Sequence, residues 1–98
     1  MNDAVAVFVS LLDGLRGRLL VEAEVADSAT FNTRLAHSAD LARAGEGGVG
    51  LEDLCENLYE FGVPITPDER RVLTELAADW RAAESTADVL SRLASRDE

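Results

Sequence analysis

The chain opens with an amphipathic pattern. Val5, Phe8, Val9, Leu12, Leu15 and Leu19 recur at the i, i+3, i+4, i+7 spacing that puts apolar side chains on one face of an α-helix. Asn2 or Asp3 stands where an N-cap would accept from the free backbone N–H groups of the first turn. Gly14 and Gly17 interrupt the pattern. Each either weakens the last turns or lets another helix approach closely. Val21-Glu22-Ala23-Glu24-Val25 alternates as a strand does. No second run offers it a partner, so an extended connector or a helical turn is expected instead.

A second helix is expected from Asp27 or Ser28 to Ala44, anchored by Phe31, Leu35 and Leu41, with small alanines between them. Gly45 follows as a C′ stop. Gly45-Glu46-Gly47-Gly48-Val49-Gly50 reads as a flexible link, with a third helix starting near Leu51. Leu51, Leu54, Cys55, Leu58 and Tyr59 fit the helical template, and Gly62 ends it, with Phe61 and Val63 tucked into the core. Thr66-Pro67-Asp68-Glu69 then places an N-cap, an N1 proline and an N3 glutamate in order, a capping box with two acids at the positive end of the helix dipole. Leu73, Leu76, Ala77 and Trp80 form the apolar face of this fourth helix, which ends between Asp79 and Ala83. Ser85-Thr86-Ala87-Asp88 can cap a short fifth helix carrying Val89, Leu90 and Leu93, and the last few residues are expected to fray. The expected fold is an all-α, compact bundle of four to five short helices, a single domain over residues 1–98.

Composition fills in this outline. Hydrophobic residues make up 47% of the 98 positions, enough for one modest core, and with aromatics at only 5% that core must be built mainly from Leu, Val and Ala. The formal net charge is −10, from 19 acids against 9 bases, and every base is Arg. Such a chain is repelled by phosphate backbones and by anionic membrane surfaces, so neither nucleic acid nor membrane is an expected partner. The charge suits either a basic protein partner, whose encounter long-range attraction would speed, or simply the solubility of a small protein. The lone Cys55 cannot form an internal disulfide, which suits a reducing cytoplasm. The apolar run Ala4–Val9 lacks a basic flank and is too short to span a membrane.

Catalytic and cofactor chemistry find little support. Gly45, Gly47 and Gly50 spell G-x-G-x-x-G, but a dinucleotide turn must follow a strand, whereas this one follows a helix and is lined by Glu46, Glu52 and Asp53. One histidine, His37, and one cysteine make no zinc pattern, and there is no calcium-loop motif. Cys55 lies on the apolar stripe as a packed thiol, and His37 reads as a surface residue. No catalytic, cofactor-binding or metal-binding residue is assigned.

The distribution of charge is more informative. Between Arg43 and Arg70 there is no base, yet the interval holds Glu46, Glu52, Asp53, Glu56, Glu60, Asp68 and Glu69. Glu52, Glu56 and Glu60 are spaced i, i+4, i+8 and stack on one helix face, where each like-charge pair costs a few tenths of a kcal/mol. An uncompensated acidic stripe suits a basic partner better than it suits the helix. The candidate partner-binding residues are Glu52, Asp53, Glu56, Tyr59, Glu60, Asp68 and Glu69.

The same interval, LEDLCENLYEFGVPITPDE at residues 51–69, resembles the MafI-type immunity proteins of bacterial polymorphic and contact-dependent toxin systems. The glycine turn before it and the N-terminal helix fit the same layout. The resemblance implies a cytoplasmic protein that binds and neutralises a cognate secreted toxin domain. Many such toxins are nucleases, whose clefts are basic because they hold phosphate. The alternative class is a helical interaction or oligomerisation adaptor, although the sequence gives no specific sign of a homodimer.

Overall fold

In the computed structural model the backbone is described for residues 3–22, 28–82 and 84–95, and side-chain environments for 4–17, 30–82 and 84–95. Five helices follow in order: α1 (Asp3–Glu22), α2 (Ser28–Arg43), α3 (Gly47–Glu60), α4 (Pro67–Asp79) and α5 (Glu84–Arg92). The all-α bundle expected from periodicity is what the chain forms. The N-cap assigned to Asn2, the side chain of Leu19, most of the alternating stretch at 21–25 and the chain end at 96–98 lie outside the described residues.

The helices pack as a closed circuit. α2 lies between α1 and α3, and its contact with α3 is the most extensive among the described residues. α5 sits across α3 and α4, and α4 returns to α1. The centre is apolar and rich in leucine, with two aromatic rings: Phe8, Leu12 and Leu15 of α1, Phe31 and Leu35 of α2, Leu51, Leu54 and Leu58 of α3, Leu73 and Leu76 of α4, and Leu90 and Leu93 at the end of α5 are all buried. A fully buried Leu or Phe contributes about 1.5–3 kcal/mol. The Cα radius of gyration is 12.3 Å, close to the ~13 Å of a compact chain this long.

The structure departs from the sequence reading most clearly at the glycines. α3 begins at Gly47, a full turn before Leu51, so Gly47–Gly50 is helix and not a flexible link. Gly47 and Gly50 are buried. A Cβ on Gly50 would lie 2.8 Å from the Ser38 carbonyl oxygen and 3.3 Å from Leu41 Cβ, and one on Gly47 would lie 2.6 Å from the Trp80 ring. These glycines are where α3 meets α2 and the end of α4. Glycine costs a helix about 1 kcal/mol relative to alanine, and here the cost is offset by close packing. Facing Gly50 on α2 are Ser38 and Ala42, both small and buried, and the half-buried Leu41. Gly14 and Gly17 are different, since nothing lies within 4 Å of a Cβ placed on either.

The remaining boundaries follow local chemistry. After Phe61, Gly62 adopts φ +66° and the chain turns back, with Val63 N–H donating to the Leu58 carbonyl at 2.9 Å. Phe61 packs edge-on against Phe31, ring centroids 5.3 Å apart, and Val63 and Ile65 are buried. The capping box is formed as expected: Glu69 N–H donates to Thr66 Oγ1 at 3.0 Å, and Thr66 N–H donates to Glu69 Oε1 at 2.9 Å. α4 ends at Asp79, and Trp80 lies edge-on to Phe8 at 5.3 Å. α5 already starts at Glu84, so Ser85–Asp88 form its first turn and do not cap it from outside. Thr86 faces inward and is buried.

Gly50→Ala is expected to lower the unfolding free energy by about 1–3 kcal/mol, because its neighbour is a backbone oxygen that cannot swing aside. Gly14→Ala, in open space on α1, should raise it by up to about 1 kcal/mol. Urea titration followed by circular dichroism measures both; equal effects would contradict the assignment of Gly50 to the α2–α3 contact.

Candidate functional site

The packing of α3 decides which of its residues face outward. Gly47, Gly50, Leu51, Leu54, Cys55, Asn57 and Leu58 are buried. Glu52 and Asp53 are left half-buried, and Val49, Glu56, Tyr59 and Glu60 are exposed. At 1.5 Å of rise per residue this outer stripe runs about 16 Å from Val49 to Glu60. Arg and Lys are absent from α3, and among the described residues neither Glu56 nor Glu60 has an ion-pair partner.

Three side chains are the exposed large hydrophobics among the described residues, and two of them, Val49 at 48% and Tyr59 at 55%, lie on this stripe. Tyr59 was expected here. Val49 was not, because it sits in the glycine stretch that reads as a linker. Once α3 begins at Gly47, Val49 precedes Glu52, Glu56 and Tyr59 on one face. The stripe thus has an apolar residue near each end and acids between them. Aromatic and aliphatic anchors beside charged groups are the ordinary make-up of a protein-binding patch.

The seven candidate residues do not form one site. Asp53 accepts a hydrogen bond at 2.7 Å from Ser38 Oγ, which is fully buried on α2. Asp53 therefore serves the α2–α3 contact, and its own backbone carbonyl accepts from Asn57 Nδ2 at 2.8 Å. Glu69 belongs to the capping box. Asp68 is paired with Arg71 at 2.7 Å, and Arg71 also reaches Glu75 at 3.2 Å. Asp68 and Glu69 line a groove with Ala6, Val7, Ser10, Leu11 and Val72 between α1 and α4, which is a different surface from the outer face of α3. The structure brings together Glu52, Glu56, Tyr59 and Glu60, with Asp53 at their edge.

Sequence reasoning missed Arg70. Its guanidinium reaches the end of α5, donating to the carbonyl of Leu90, to that of Leu93 at 2.7 Å and to Ser95 Oγ at 3.1 Å. Nothing in the spacing of Arg70 and residues 90–95 signals this contact.

Cys55 is fully buried beneath the stripe. Burial, followed by the charges of Glu56 and Glu52, pushes its thiol from an ordinary value near 9 up to about 12. A thiol held neutral is a poor nucleophile. His37 is exposed on α2. Among the described residues no group of three or more His, Cys, Asp or Glu is arranged to hold a metal ion, and no helix is long and apolar enough to cross a membrane.

The fold and this geometry define a five-helix bundle that presents one acidic, apolar-flanked helix face. No family model matches the chain, and neither does any curated protein or solved structure.

The raised Cys55 value makes stability depend on pH. The unfolded chain releases the thiol proton near pH 9, whereas the folded chain holds it to about 12. The contribution is complete below pH 9 and is lost as pH rises through that window, by about 1.4 kcal/mol per pH unit. Urea titrations between pH 8 and 10 should show a steeper decline for the wild type than for Cys55→Ala; parallel curves would contradict a buried neutral thiol.

Proposed function

We propose that this protein is an immunity protein, which binds and neutralises a cognate secreted toxin domain through the outer face of α3. It does so in the cytoplasm, by binding and without catalysis of its own. The observation that carries this reading is the stripe Val49–Glu52–Glu56–Tyr59–Glu60: exposed or half-exposed acids on a helix with no base, with an apolar side chain near each end. The like-charge spacing works against the isolated helix. A partner carrying Lys or Arg would relieve it.

A toxin domain that handles nucleic acid fits this face, because its phosphate-binding cleft must be basic. The immunity protein would occupy that cleft or clamp a basic surface beside it. Tyr59 is the natural anchor, since a large aromatic with few rotatable bonds loses little entropy on binding. Glu56 and Glu60 contribute attraction and orientation. The resemblance of residues 51–69 to MafI-type immunity proteins supports the same reading, because it falls on the helix that carries the stripe. Asp53 and Glu69 are left out of the contact set, since each has a structural task in the folded chain.

Co-expression with a candidate toxin domain, taken from the C-terminus of any secreted protein whose gene adjoins that of this chain, tests the proposal. The wild type should restore growth and co-purify one-to-one with the domain. Glu56→Lys combined with Glu60→Lys should weaken binding at least tenfold, about 1.4 kcal/mol, while leaving the helical signal and melting behaviour intact. Full protection by a well-folded double variant would exclude this surface. A wild-type chain that ignores the domain and instead forms a stable dimer would favour a helical adaptor.

A further inference from the structure

We infer that α5 is a strap that opens independently of the rest of the bundle, with Arg70 of α4 as its latch. At nine residues α5 is too short to persist as an isolated helix, so its structure depends on what holds it down. Its polar attachments are concentrated at one end. Arg70 donates to the carbonyls of Leu90 and Leu93 and to Ser95 Oγ, and Ile65 N–H donates to the Ala94 carbonyl at 2.9 Å. The guanidinium fork adds donors to carbonyls at the end of the helix, of which that of Leu90 also accepts from Leu93 N–H at 3.3 Å.

The other end is held differently. α5 is joined to α4 through Arg81, a non-glycine residue in the left-handed region at φ +52°. The Thr86 hydroxyl, buried in the first turns of α5, has no hydrogen-bond partner among the described residues, which penalises the docked state. Between α4 and α5 lies a groove of about 550 Å³, walled by Ala77, Ala78, Ala82, Ala87 and Leu90 together with polar residues that include Arg70 itself. The groove leaves α5 thinly packed on its α4 side, and its more extensive contact is with α3. Segments with few buried contacts open at a lower free energy than the core. Release of α5 would withdraw Leu90 and Leu93 and turn the groove into an open apolar surface on α3 and α4. The α2–α3 contact with its glycine crossing would be left in place.

Native-state hydrogen exchange on the whole chain, at increasing sub-denaturing urea, tests this. In the wild type the amides of α5 should exchange at least tenfold faster than the slowest amides of α2 and α3, with a shallower dependence on urea. Arg70→Met should bring α5 to within tenfold of unprotected exchange while α2 and α3 keep at least hundredfold protection. Thr86→Val, which removes the unpaired hydroxyl, should slow exchange in α5 several-fold. The strap is overturned if wild-type α5 exchanges with the rate and urea dependence of α2 and α3. It is overturned equally if Arg70→Met strips protection from every helix together or prevents folding, or if Thr86→Val speeds exchange in α5.

Discussion

Gly50 lets the backbone of α3 lie against the backbone of α2, with the Ser38 carbonyl only 2.8 Å from where a β-carbon would stand. The rest of the arrangement depends on that approach. It brings Leu51, Leu54 and Leu58 into the core, and it puts Asp53 within reach of the buried Ser38 hydroxyl. It also lets the Trp80 ring sit against Gly47 while touching Phe8, so that the end of α4, the start of α3 and α1 meet at one point. An added methyl group at Gly50 would have to displace backbone, which close-packed interiors resist.

The same constraint creates the acidic face. With one side of α3 committed to α2, α4 and α5, its remaining positions point outward, and most of those are acids. Their roles then divide by environment. Asp53, beside the buried Ser38, stabilises the helix contact; Glu69, three residues after Thr66, caps α4; Glu56 and Glu60 have no such task in the folded chain. The proposed binding surface is the set of acids left over once structural needs are met, together with Tyr59 and Val49 beside them. The raw acid count says less.

Much of this was legible in the sequence. The periodic apolar positions of α1, α3 and α4 placed those helices, and the Thr66–Glu69 capping box fixed the start of α4 to the residue, because both depend on neighbours close in the chain. What was not legible depended on long-range contacts. Glycines 47, 48 and 50 carry a low helix propensity and no side-chain cap precedes them, so a linker was the reasonable local reading. Only the proximity of Ser38 and Trp80 explains why the helix runs through them. Arg70 and the end of α5 are twenty or more residues apart, and no spacing rule joins them. The acidic face of α3 was legible as charge, but its edges were not: Val49 joins it, and Asp68 and Glu69 lie instead at the α1–α4 groove, only once the packing is known.

The proposed function requires the outer face of α3 to meet a basic protein surface. Stopped-flow measurement of the association rate with the cognate toxin domain, across a series of salt concentrations, tests this most directly. Electrostatic steering by an exposed acidic stripe predicts an association rate that falls about tenfold or more from low salt to several hundred millimolar, with a much smaller change in dissociation. An association rate that stays flat across the series would contradict it.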